Sequence, residues 1–112
     1  MATLEQLGRD EWAGLIEAPL AVLILGKTTC AACKTWAAEL TEFLENDEEF
    51  GDVRFGKLDI DTPGLISFKR ANPWISGLSD LPHTSIWVNG EKKKEFFGGG
   101  ADRLANRLRR FL

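Results

Sequence analysis

Two cysteines are the residues whose type and spacing most directly suggest chemistry in this chain. Cys30 and Cys33 are the only cysteines among its 112 residues, and two alanines separate them. A disulfide that closes so short a loop would stabilise the fold little, because the entropy removed from the unfolded chain grows with loop length. Paired thiols at this spacing are instead typical of thiol–disulfide exchange or of metal binding.

Two alternatives to exchange chemistry stay open for the pair: simple burial, and half of a zinc site. Burial alone would not require this spacing at the start of a helix. Zinc takes about four ligands, and besides the thiols the chain offers only His83 as a soft or borderline ligand. A metal or cluster would therefore need carboxylates or a second chain. We expect exchange chemistry with no bound cofactor and no metal.

The segments on either side of the pair predict a buried strand followed by a helix. The apolar run from Leu20 to Leu25 is closed by Gly26 and is typical of a central strand buried on both faces. Beyond it, apolar residues recur at helical spacing to about residue 45: Cys33, Trp36, Ala37, Leu40, Phe43 and Leu44. Cys30 then falls at the helix N-terminus, where free N–H groups and the helix dipole favour a thiolate. Cys30 is therefore the predicted nucleophile, and Cys33, one turn later, the resolving thiol.

The rest of the sequence predicts an α/β fold with a mixed sheet and helices on both faces. Asn89-Gly90 is a strong hairpin signal between two short strands, and the other elements follow from apolar periodicity. We expect a helix near residues 10–16, strands at 53–60, 85–88 and 93–97, a helix at 65–72, a second short helical turn or a loop at 74–80 and a final helix near 104–112. Residues 3–7 fit an edge strand or a helical turn equally well.

Composition narrows the class of protein. With 44% hydrophobic and 28% charged residues, the chain has the make-up of one globular domain. A net charge of -3 and a sequence pI near 5.2 argue against nucleic acid as the main partner. No apolar run approaches the roughly 20 residues that cross a bilayer, and the N-terminus has no signal-peptide pattern. The absence of a signal-peptide pattern leads us to expect a protein of the cytoplasm, and we expect it to act as a monomer.

Several motifs in register resemble the thioredoxin family, and the resemblance covers nearly the whole chain. Lys34 follows the cysteine pair as a lysine does in thioredoxins, and Lys57-Leu58-Asp59-Ile60-Asp61 matches a characteristic strand of the family. Pro82 stands where the family has a cis-proline ahead of an Asn-Gly turn, and Gly98-Gly99 falls where it has a glycine loop. The hairpin spacing favours thioredoxins over glutaredoxins, whose connection from proline to glycine turn is shorter.

The resemblance implies a thioredoxin-like fold in one domain spanning residues 1–112. It implies reduction of disulfides in protein substrates by the Cys30/Cys33 dithiol, and an external reductant such as a thioredoxin reductase that restores the thiols. The implied substrate groove is lined by Thr29, Ala31, Leu81, Pro82, Gly98 and Gly99. The alternative for Pro82 is an ordinary trans proline at the start of an edge strand, since cis is the minority state of X–Pro bonds.

The residues around the cysteines depart from the family pattern. Thr29 replaces a tryptophan before the first cysteine, and Ala32 replaces a proline before the second. Ile24 falls where the family has a buried acid that assists proton transfer at the second cysteine, and general acid–base help is worth about 100-fold or more. We expect slower exchange at neutral pH, and a binding module that kept the fold without catalysis is an alternative.

Lys57 and His83 are the candidate modulators of the thiols. Lys57, the usual neighbour of the missing acid, would pair with another residue such as Asp59 or point to solvent. His83 could lie near the sulfurs and stabilise a thiolate, or it could be a strand residue that faces the other way, which we favour. Residues 72–80 lengthen the connection before the proline. With Trp74 and Ile75 they could form a further wall of the groove or cover the sheet edge.

Overall fold

The computed structural model describes residues 2–112 as a five-stranded sheet with helices on both faces. In chain order the elements are β1 (Leu4–Gln6), α1 (Trp12–Ile16), β2 (Ala21–Gly26), α2 (Ala31–Asn46), β3 (Arg54–Asp59), α3 (Ile66–Ala71), β4 (His83–Val88), β5 (Glu91–Phe97) and α4 (Ala101–Leu108). Short 3₁₀ helices at Pro73–Gly77 and Arg109–Phe111 follow α3 and α4. Within this part of the chain, no helix combines the length and apolar character needed to cross a bilayer.

The sheet is mixed, with the strand order β1-β3-β2-β4-β5. β1, β3 and β2 run parallel, whereas β4 is antiparallel to β2 and β5 is antiparallel to β4. All six residues of β2 are buried, as expected for a central strand covered on both faces. The N-terminal segment, which its sequence pattern left undecided, is an edge strand whose Leu4 lies opposite Phe55. The predicted α/β class and mixed sheet are confirmed.

Two apolar clusters hold the helices against opposite faces of β2. Ile24 belongs to one cluster with Trp36 of α2 and Leu104 of α4. Leu25, the next residue along the strand, belongs to the other cluster with Phe68 of α3. Because side chains alternate along a strand, β2 serves both layers of helices at once. The first turn of α2 is thereby held at the carboxyl end of β2.

The β4–β5 hairpin turns at Asn89 and Gly90. Both residues have positive φ, 50° and 87°, as a type I′ turn requires, and asparagine and glycine adopt this conformation at little cost. β4 begins at His83 rather than at Ser85, the start that apolar periodicity predicted. The periodicity missed this start because His83 and Thr84 are polar and yet fully buried.

Candidate active site

The cysteine pair lies at the junction of β2 and α2. Cys30 is the N-cap residue of α2, with extended backbone (φ -89°, ψ 108°), and its Sγ accepts a hydrogen bond from the Cys33 N–H at 3.1 Å. The two residues form a disulfide, with Cα atoms 5.3 Å apart. The positive end of a 16-residue helix lies at the Cys30 sulfur. This field favours the thiolate once the disulfide is reduced.

The two cysteines differ in access to solvent. Cys33 is fully buried, whereas Cys30 is half-buried and has the exposed residues Thr29 and Ala31 on either side. A second disulfide can therefore approach the Sγ of Cys30 but not that of Cys33. This asymmetry suits Cys30 to attack and Cys33 to resolve.

The loop between β2 and α2 is braced by Asp61, a residue that the sequence analysis gave no role. Its carboxylate accepts hydrogen bonds from the Thr28 N–H at 3.2 Å and from the Thr28 hydroxyl at 2.5 Å. The hydroxyl bond is the main cause that lowers the pKa of the Asp61 carboxyl. The Cys30 N–H donates to the Lys27 carbonyl at 3.1 Å. The turn that presents Cys30 is thus fixed at both ends.

Four residues from the ends of neighbouring strands form a row beside the disulfide, which we call the strand-end row: Asp59, Gly26, Pro82 and Gly98. Gly26 lies opposite Asp59 in the parallel pairing of β2 with β3. Continuing the antiparallel register of β2 and β4 by one step places Pro82 beside Gly26. Gly98 follows, since its N–H donates to the Pro82 carbonyl at 2.8 Å. Residues far apart in sequence therefore meet at one edge of the sheet.

The strand-end row touches the disulfide at Gly26. A Cβ on this glycine would lie 3.0 Å from the Cys33 Cβ and 3.2 Å from its Sγ, so the missing side chain gives the sulfur its space. The Leu81–Pro82 peptide bond is cis. Pro82 is buried and Leu81 half-buried. The predicted groove residues Leu81, Pro82 and Gly98 thus lie at the same sheet edge as the sulfurs.

Trp36 connects the predicted groove residues Gly98 and Gly99 to α2. A Cβ on Gly99 would lie 2.5 Å from the indole ring, so this backbone packs directly on the ring face. The Trp36 Nε1–H donates to the Thr84 Oγ1 at 3.1 Å, and that hydroxyl donates to the Gly98 carbonyl at 3.2 Å. The helix that carries both sulfurs therefore also positions the glycine loop.

Lys57 points into the protein rather than to solvent. Its Nζ lies 3.3 Å from the Asp59 Oδ1, and the two residues are only 8% and 9% exposed. Ile24, at the position of the missing acid, is fully buried in the apolar cluster with Trp36. Asp59 is therefore the partner of Lys57, one of the two possibilities that the sequence left open.

His83 faces away from α2, the helix that begins at the cysteine pair. The Thr84 side chain bonds to α2, so the alternation of side chains along β4 turns His83 to the opposite face of the sheet. There the imidazole centroid lies 5.1 Å from the Trp74 ring and 5.5 Å from the Phe97 ring. The favoured alternative, a strand residue that faces the other way, is what the structure shows.

The segment at residues 72–80 covers the sheet on this second face. Trp74 packs on His83, and the Lys92 ammonium lies 3.6 Å from the centroid of the indole ring. Ile75 is buried in the apolar cluster of α1 and α3. It also lines a cleft with Ile60. Of the two alternatives for this segment, a wall of the groove or a cover of the sheet edge, these contacts favour packing on the sheet.

His83 makes the stability of the fold depend on pH. Burial holds the pKa of His83 below its ordinary value of 6.5, although Glu95 opposes the shift. The unfolded chain therefore takes up a proton first as pH falls, and the free energy of unfolding should drop as the pH falls below about 6.5, by at most about 1.4 kcal/mol per pH unit. Denaturant titrations should show this slope in the wild type and a flatter one in His83→Gln. Equal slopes would contradict the assignment.

The zinc alternative finds no donor set in the described part of the chain. No three His, Cys, Asp or Glu side chains of residues 2–112 lie close enough together to hold one ion. His83, the remaining soft or borderline donor, faces away from the sulfurs. A shared metal would therefore need donors from a second chain.

A comparison with curated proteins finds a relative that covers most of the chain, whereas no family model matches the sequence. A curated protein of Dictyostelium discoideum named "Putative thioredoxin-5" is 30% identical over 100 residues, which cover 89% of this chain and 89% of that protein.

Solved structures give the same fold at lower identity. The short form of thioredoxin f from spinach chloroplast superposes with a TM-score of 0.75 at 20% identity, covering 97% of this chain and 93% of that one. Thioredoxin from Schistosoma mansoni superposes with a TM-score of 0.73 at 24% identity, covering 98% and 96%. The architecture described above is the fold of these structures.

Proposed function

The chain belongs to the thioredoxin family, and from this premise we propose that its Cys30/Cys33 pair reduces disulfide bonds in client proteins. The coarser activity, thiol–disulfide exchange, is supported by the family and by the disulfide that the two cysteines form. The observation that carries the finer proposal is the position of that disulfide. An accessible sulfur at a helix N-terminus adjoins a row of backbone groups where an extended client can bind.

Reduction begins with the Cys30 thiolate. Its Sγ attacks one sulfur of the client disulfide, a bond forms between Cys30 and the client, and the second client sulfur leaves as a thiolate that takes a proton from water. The N-terminus of α2 lowers the cost of keeping Cys30 ionised before attack. The intermediate is a mixed disulfide between Cys30 and the client.

Cys33 completes the reaction. Its thiol loses a proton, the resulting thiolate attacks the Cys30 sulfur, and the client's first sulfur leaves as a thiolate. Two electrons have then passed from the cysteine pair to the client, and the intramolecular disulfide seen in the structure is the product. Both sulfurs are already held in place for this step, which favours it over attack by a thiol from solution.

The client would bind along the cis-proline edge. A proline has no N–H, so the backbone at Leu81 and Pro82 can approach the sulfurs closely, and Leu81 offers its own backbone groups to an extended segment. The exposed residues Thr29 and Ala31 would form the near wall, and Gly98 with Gly99 the far wall. Thr29 supplies a smaller apolar surface than the tryptophan it replaces, so client choice would differ from that of typical thioredoxins.

The proposal also includes the reductant that restores the thiols and the compartment in which the protein works. An external reductant such as a thioredoxin reductase would return the disulfide to the dithiol, with no resident cofactor and with the chain acting as a monomer. A reducing compartment, the cytoplasm, would keep the pair mostly as thiols between turnovers.

A direct assay separates this function from a binding module with the same fold. The reduced protein should cleave the interchain disulfides of a client such as insulin at least about tenfold faster than an equal concentration of dithiothreitol, because Cys30 is held as a thiolate. Turbidity of the released chains follows the reaction. A rate no higher than that of the small dithiol would favour the binding module and overturn the proposal.

A further inference from the structure

Asp59 is a buried acid, and one of its carboxylate oxygens accepts no hydrogen bond from the described part of the chain. The residue is 9% exposed, and within residues 2–112 its Oδ1 has no aligned hydrogen-bond donor. Lys57 lies 3.3 Å from that oxygen and compensates its charge. Removing a carboxylate from water is costly even when a cation accompanies it. A buried oxygen that is paired but not hydrogen-bonded therefore calls for an explanation.

The unused oxygen faces the resolving cysteine across Gly26. The point where a Cβ of Gly26 would stand is 3.2 Å from the Cys33 Sγ and 3.4 Å from the Asp59 Oδ1. The sulfur and the oxygen are therefore separated by no more than the sum of these two distances, which a single water molecule can bridge. Because residue 26 is glycine, no side chain stands between them.

The resolving step needs a proton acceptor at this place. A thiol with an ordinary pKa near ~8.5 is mostly protonated at neutral pH, and the position where the family keeps its buried acid holds Ile24. We propose that Asp59, held in place by Lys57, accepts the proton of the Cys33 thiol during resolution of the mixed disulfide. This inference rests on the proposed function and assigns one step of it.

The step balances in protons and electrons. The Cys33 S–H bond breaks and its proton passes to the Asp59 carboxylate, directly or through one water. The Cys33 thiolate then forms a bond to the Cys30 Sγ, and the bond between Cys30 and the client breaks. The client thiolate leaves with the electron pair, and Asp59 afterwards gives its proton to that thiolate or to solvent.

The groups on the elements next to Asp59 determine how pH affects this step. Lys57 lies on its own strand, and Cys33 faces it from α2. Neighbouring β2 contributes Gly26, which does not titrate. The acid of β1, Glu5, is held by Arg54 at 2.8 Å.

Stopped-flow kinetics can isolate the step without a natural client. Reduced protein is mixed with the symmetric aromatic disulfide dithiobis(nitrobenzoate), each half of which absorbs visible light when released. The attack of Cys30 releases the first half, and resolution by Cys33 releases the second. Asp59→Asn should leave the first phase unchanged and slow the second by about 100-fold near pH 7. The deficit should shrink toward about pH 9, where the thiol ionises without help.

The matched control is Asp52→Asn, which removes an exposed carboxylate ahead of β3, away from the cysteine pair, and should leave the second phase unchanged. If Asp59→Asn does not fold, the pH dependence of the second phase in the wild-type protein tests the proposal instead. The second phase should then depend only weakly on pH between about 6 and 8, instead of rising tenfold per unit with the thiolate fraction. An unchanged second phase in Asp59→Asn, or the tenfold rise in the wild type, would overturn the proposal. A missing first phase would instead refute the role of Cys30.

Discussion

Replacing either cysteine by serine should abolish turnover, but the two variants should fail in opposite ways. Cys30→Ser removes the nucleophile, so the rate of client reduction should fall by about a thousandfold or more and no covalent complex should form. Cys33→Ser keeps the half-buried nucleophile at the N-terminus of α2 and removes only the resolving sulfur. The mixed disulfide should therefore accumulate until nearly every protein molecule carries a client.

Non-reducing electrophoresis and intact-mass spectrometry measure this difference directly. Cys33→Ser should shift by the mass of one client chain, and the shift should disappear on addition of dithiothreitol. The double variant lacking both sulfurs is the control and should show no adduct. Accumulation on Cys33 in the Cys30→Ser variant, at a similar yield, would mean that the buried sulfur is the accessible one and would contradict the assigned roles.

Trp36→Ala should strongly destabilise the fold. The indole is 2% exposed and fills the space between α2, the sheet and the glycine loop. Truncation of a buried tryptophan costs about 3–5 kcal/mol, which is a large part of the free energy of unfolding of a domain of this size. Its loss also frees the Thr84 hydroxyl that holds the Gly98 carbonyl. Client reduction should therefore weaken even at temperatures where the variant is folded.

Trp36→Phe is the matched control for this effect. A phenyl ring keeps most of the packing against Gly99 but cannot donate to the Thr84 Oγ1, so the expected cost is about 1–2 kcal/mol. Urea titrations should show both decreases at an unchanged slope, with Trp36→Ala clearly the larger. A loss below about 1 kcal/mol for Trp36→Ala would contradict the central place of this ring in the fold.

The parts of the fold that the sequence predicted are those that depend on local pattern. The apolar run of β2, the stripe that includes Leu40, and the Asn89-Gly90 turn each carry their signal within a few residues. The start of α2 at the cysteine pair was predictable for the same reason. These elements place Cys30 correctly without any knowledge of what packs against them.

The parts that the sequence missed depend on which strands pair and in what register. The orientation of His83 follows from a strand start that polar buried residues concealed. Asp59 and Cys33 border the same space at Gly26 only because β3 and β2 end side by side with a glycine at that point. Spacing along the chain cannot reveal that arrangement, since it joins three elements. Lys57 is a further example, because the sequence left open whether it pairs with a residue such as Asp59 or points to solvent. The structure was needed to decide between the two.

The two outer strands of the sheet, β1 and β5, are the places where a strand of another polypeptide could pair with it. β1 has only three residues, and β5 carries exposed charged side chains along most of its length, among them Lys93 and Glu91 in an ion pair at 3.0 Å. Short or charged margins resist the addition of a further strand. If clients bind as proposed, main-chain recognition would be confined to the cis-proline segment at the sulfurs. An unfolded polypeptide would then be held at the point where its disulfide can react, rather than along an outer strand where it would only aggregate.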